Sequence, residues 1–98
     1  MFVGILRLTL DIEGAQSLKD RRSVVRSLRD KLKPRFNVAV AELEDDTVFY
    51  NRAKLGIATI SNEHKHADEQ LQQILGFIDK QGEYVISSVE EEIISFNE

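Results

Sequence analysis

The sequence has no cysteine. That excludes disulfides, thiolate zinc sites, iron–sulfur clusters and a cysteine nucleophile. It fits a cytoplasmic protein, although every compartment tolerates a cysteine-free chain. Proline is limited to Pro34, and there is no linker, repeat or low-complexity tract. No apolar run approaches the ~20 residues of a membrane span. The opening MFVGILRLTLDI has no basic leader and no small-residue cleavage site, so it reads as a strand and not as a signal peptide. Histidine is limited to His64 and His66. Two residues apart on a helix, they point ~200° apart and do not share a metal. No G-x-G-x-x-G, Walker loop or G-x-S-x-G elbow occurs. The chain is therefore expected to be non-enzymatic, with no metal and no cofactor.

What is present alternates between two periods. Leu6, Leu8, Leu10 and Ile12 share one face of a strand spanning Phe2 to Ile12, with Val3, Ile5, Arg7 and Thr9 on the other. Glu13 to Gln16 form a turn. Ser17 stands at an N-cap position with Asp20 three residues on, opening a helix that Pro34 stops after about Lys33. Val25, Leu28 and Leu32 form its buried stripe, with Leu18 and Val24 at the margins. A second strand covers Phe36 to Leu43, and a connection from Glu44 to Tyr50 leads to a third, Ala53 to Ser61. Ser61 or Asn62 caps a second helix with Ala67, Leu71, Ile74, Leu75 and Ile78 inward, and Gly82 is expected as its left-handed C-cap. Tyr84 to about Ile94 is a fourth strand.

This β-α-β-β-α-β order predicts one domain over residues 1–98 with an α+β, ferredoxin-like sandwich. The first and third strands lie in the middle of a four-stranded antiparallel sheet, and both helices cover one face. The first and third strands are apolar on both sides, so the open sheet face is expected to be covered by a second subunit. The alternative is that Arg7, Thr9, Lys54 and Thr59 wet that face enough for a monomer.

Charge is distributed unevenly. Between Lys19 and Arg35 lie eight of the thirteen Lys and Arg residues against Asp20 and Asp30, so the window carries +6 and the remainder −10, giving the net −4. At ~100° per residue, Lys19, Arg22, Arg26, Arg29 and Lys33 fall within ~80° of one another. Arg21, Lys31 and Arg35 are placed on the opposite flank. An aligned stripe of this kind tracks phosphates, because a guanidinium donates bidentate hydrogen bonds to their oxygens. The alternative is a solvated face, or one paired with Glu90 to Glu92 or a neighbouring subunit. The acidic runs Glu44-Asp45-Asp46 and Glu90-Glu91-Glu92 are sufficiently explained as a loop and a guarded edge strand. Gly56 inside a strand marks close packing or a bulge. Phe49 and Tyr50 either meet a partner or fold back over the sheet.

The fold hosts RNA-recognition motifs, but KLGIATI supplies no aromatic for base stacking. It hosts acylphosphatases, but EGAQSLKD is not a phosphate-cradling loop. Four stretches do resemble one family: GAQSLKDRR, RFNVAVAE, RAKLGIA and SNEHKHAD, beginning at Gly14, Arg35, Arg52 and Ser61. They resemble the YlxP-like family of small uncharacterised bacterial proteins, over nearly the whole chain. The resemblance implies a ferredoxin-like fold and a bacterial cytoplasmic protein. Genes of that family often neighbour those of translation-initiation and ribosome-maturation factors, which implies a role near the ribosome. Where the family often has tryptophan before Q-R-A, this chain has Phe49-Tyr50-Asn51-Arg52-Ala53. The expected partner is structured RNA or a ribosomal surface, bound by Lys19, Arg22, Arg26, Arg29 and Lys33 with Arg35 and Arg52 as additions. The alternative is a homo-oligomeric interaction or small-ligand module.

Overall fold

A computed structural model describes residues 1–43 and 50–97. Six elements follow the expected order: β1 (Phe2–Asp11), α1 (Leu18–Leu32), β2 (Val38–Leu43), β3 (Arg52–Ser61), α2 (His64–Asp79) and β4 (Val85–Ser95). The strands form one antiparallel sheet in the order β2-β3-β1-β4. This is the ferredoxin-like sandwich. No helix among the described residues is long and apolar enough to cross a membrane.

The core follows from the two periods. Leu6, Leu8, Leu10 and Ile12 alternate inward and meet Val25, Leu28 and Leu32 of α1 and Leu71, Ile74 and Ile78 of α2. α1 lies over β2 and β3, while α2 lies over β1, β3 and β4. Gly56 lies within regular β1–β3 pairing, so it marks close packing and no bulge. Leu43 folds over it, within 3.2 Å of where a Cβ would stand. The one register shift along β1 and β4 falls at Thr9/Leu10.

Three expectations need correction. Thr59 faces the helices: it is buried at 2% exposure, and its hydroxyl donates to the Asn37 carbonyl at 3.0 Å. It therefore does nothing to wet the open face. The N-cap of α2 is Glu63, without a side-chain cap bond, because the Ser61 hydroxyl is spent accepting from Glu63 N–H at 3.1 Å. Gly82 is left-handed (φ 79°), but it turns the loop two residues beyond the actual C-cap, Lys80. The run Glu44 to Asp46 and Phe49 lie outside the described residues, while Tyr50 is exposed.

Tyr84 ties the end of α2 to the start of β4. Its buried hydroxyl donates to the Ile78 carbonyl at 2.7 Å. Burial, with Glu83 and Asp79 nearby, pushes the phenol from 10.0 up to about 12. A phenol is neutral while protonated. Between those two values the unfolded chain has lost a proton that the folded chain still holds. Stability that is fully present below pH 10 therefore falls as pH rises toward 12. Urea unfolding should show this alkaline loss in the wild type and a smaller one in Tyr84→Phe. At neutral pH, Tyr84→Phe should cost about 1 kcal/mol for the missing hydrogen bond.

Candidate nucleic-acid interface

The basic helix starts where its sequence says it should. The Ser17 hydroxyl accepts from Asp20 N–H at 3.1 Å, and the Asp20 carboxylate accepts from Gln16 N–H at 3.0 Å. The first bond satisfies one of the donors that a helix start leaves open, and the second ties the residue before the cap to the first turn. Burial of Val25, Leu28 and Leu32 then fixes the rotation of α1 about its axis. With that stripe on the sheet, Lys19, Arg22, Arg26 and Lys33 are exposed and Arg29 is half-buried. From Lys19 to Lys33 the ridge extends ~21 Å at 1.5 Å per residue. Its inner flank borders a groove of about 140 Å³ between α1 and the edge strand β2, lined by Arg22, Val25, Arg26, Arg29, Val40 and Glu42.

Arg21 is not on the flank expected for it. It stands four residues before Val25 and seven before Leu28, so it continues the sheet-facing stripe by one turn. Its Nε lies 3.3 Å from Glu42 Oε1, and its Nη1 donates to the Arg52 carbonyl at 3.4 Å. The pair is partly sheltered, with side-chain exposures of 16% and 31%. Glu42 is thus engaged from the sheet side of the groove.

None of the five stripe cations pairs with a carboxylate among the described residues. The acids proposed to neutralise them lie elsewhere. Glu90 accepts two bonds from Arg7, at 2.9 and 2.6 Å. This bidentate bond holds the Glu90 carboxyl below the usual carboxylate range. Glu91 accepts from Gln72 of α2 at 3.2 Å. Both sit on β4, three strands from β2 and therefore roughly 14 Å away across the sheet. The fold separates a basic edge, α1 with β2, from an acidic edge, β4.

The other two candidates sit apart from the ridge. The Arg35 guanidinium lies over the Phe77 ring, 4.7 Å from its centre. Arg52 Nε lies 3.4 Å from Asp11 Oδ1 across the β1–β3 pair. His64 meets the Phe2 ring edge-on at 5.7 Å, and His66 is exposed on the same turn. No group of His, Asp and Glu among the described residues has the arrangement of a metal site. Sequence reasoning missed the Arg21–Glu42 and Arg7–Glu90 pairs. Their only signal was opposite charge on neighbouring elements, and the strand register needed to use it is not written in either segment.

A family described as "Protein of unknown function (DUF503)" matches residues 3–91, a span that includes all of α1. The chain is 32% identical to "Uncharacterized protein YlxP" of Bacillus subtilis (strain 168) over 78 residues, covering 79% of this chain and 83% of that one. Among solved structures, it superimposes on the solution NMR structure of a de novo designed protein with ferredoxin fold. That match has a TM-score of 0.47 and 10% identity, covering 98% of this chain and 88% of the designed one.

Proposed function

The chain belongs to the DUF503 family, and on that premise we propose that it is a non-enzymatic, cytoplasmic accessory protein that binds structured RNA, such as a ribosomal surface, through the α1 stripe. One observation carries this reading: five aligned cations have no carboxylate partner among the described residues, while Glu90 and Glu91 of β4 are engaged at the far edge of the sheet. Cations at i,i+3 and i,i+4 repel by a few tenths of a kcal/mol per pair. Phosphates arrayed along an RNA strand would offset that repulsion and release their counterions. The ridge has no base-stacking aromatic, so its contacts would position the protein on RNA and would not specify sequence.

The test is fluorescence anisotropy with a labelled RNA hairpin at several salt concentrations. Five phosphate contacts predict that log K falls with log salt at a slope of about −4.5 for a duplex. A slope near zero would overturn the reading. Glu42 supplies a second check, because it is the carboxylate lining the groove. Glu42→Gln should tighten binding about two- to threefold, the size expected for removing one like charge ~8 Å from a phosphate in a watery setting. The same variant should weaken folding by loss of the Arg21 pair, so tighter binding would not reflect a better fold.

A further inference from the structure

The open sheet face is divided along its length. Alternation and register place Val3 between Ile60 of β3 and Ile94 of β4, with Ile5 in the next row between Ala58 and Glu92. Beyond them, Phe96 N–H donates to the Met1 carbonyl at 2.8 Å, carrying both side chains to the same end. Met1, Ile60, Ile94 and Phe96 are 52%, 58%, 42% and 59% exposed. The other half holds the Arg7–Glu90 pair, Thr9, Lys54 and Ser88. We propose that a second copy of this chain docks on the apolar half, related by a two-fold axis parallel to the sheet and lying between the two faces, so that Val3, Ile60, Ile94 and Phe96 of each copy meet those of the other.

Area and charge both point to that occupant. Four large side chains about half exposed, with Val3 and Ile5 between them, present on the order of 400–500 Å² of contiguous apolar surface, the size of the largest and often functional patch on a soluble protein. Two such patches together bury ~1,000 Å², which suits a weak, reversible dimer. A chain of net −4 resists meeting itself on most of its surface. Here the charges around the patch, Arg7 and the Met1 ammonium against Glu90 and Glu92, sum to zero. The patch has no cationic rim of the kind that directs an apolar surface to anionic lipid. Because α1 covers the opposite sheet face, both basic ridges would remain outside the dimer. The dimer stands independently of RNA binding: it is read from mass alone, with no RNA present.

Sedimentation equilibrium from about 1 to 500 μM tests it. The wild type should pass from 11.2 kDa to twice that mass as concentration rises. Ile60→Lys/Ile94→Lys changes two exposed positions. It should keep the wild-type circular dichroism and raise the dissociation constant at least a hundredfold. A wild type that stays monomeric overturns the proposal, as does an assembly larger than a dimer or a folded variant that dimerises equally well. Should the variant unfold, an NMR dilution series on the wild type decides. Shifts confined to the neighbourhood of Val3, Ile60, Ile94 and Phe96 support the interface; shifts centred on α1 or β2 refute it.

Discussion

Replacing Arg22, Arg26 and Arg29 together by alanine should reduce the salt slope of RNA binding from about −4.5 to about −1.8, because three of five phosphate contacts go. Between 50 and 200 mM salt, the wild type would lose several hundredfold in affinity and the variant only about tenfold. The fold should not suffer. The three side chains make no ion pair among the described residues, and the buried stripe that seats α1 is untouched. Alanine is the best helix former, and removing like charges relieves repulsion. The variant should therefore unfold at an equal or slightly higher temperature. Loss of binding with gain of stability marks residues kept for a ligand. Loss of both would mean that the arginines serve the fold.

The largest stability effect is expected at Leu71, which is fully buried. Leu71→Ala should cost about 2–5 kcal/mol through lost burial and a residual cavity. Its neighbour is what makes the position informative. A Cβ on Gly4 would stand 3.1 Å from the Leu71 side chain, a contact tight enough that Leu71 must give by a few tenths of an ångström. Gly4→Ala alone should then cost about 1–3 kcal/mol by overpacking. In the Leu71→Ala background the new methyl enters the vacated space. The double variant should therefore be more stable than the sum of the two losses by about 0.5–3 kcal/mol. Urea denaturation of the four proteins measures this. Additive costs would mean that the β1–α2 contact is looser than the geometry requires.

These contacts also show what sequence reading captures. Leu6, Leu8 and Leu10 alternate so regularly that the buried face of β1 is plain, and Val25, Leu28 and Leu32 set the rotation of α1 and hence the exposure of its cations. Helix periodicity therefore made the ridge legible. The charge of Arg21 suggests a solvent flank while its angle puts it on the sheet side; a long side chain at the rim of a helix can face the sheet and still reach a carboxylate. Thr59 is a similar case, its polarity suggesting solvent while alternation with Leu55 and Ile57 puts it inside. Whether Glu90 neutralises α1 or pairs with Arg7 depends on strand order and register. Those arise from the whole sheet, and no single segment encodes them.

The most direct measurement compares two triple variants of equal net charge on the same RNA hairpin across salt. One is Arg22→Ala/Arg26→Ala/Arg29→Ala. The other is Lys31→Ala/Lys65→Ala/Lys80→Ala, three exposed cations off the ridge. If the α1 ridge contacts phosphate, the first loses about 2.7 units of slope and the second stays near wild type. Equal losses in both would show that RNA responds only to overall charge, and the ridge would then be a solvated helix face.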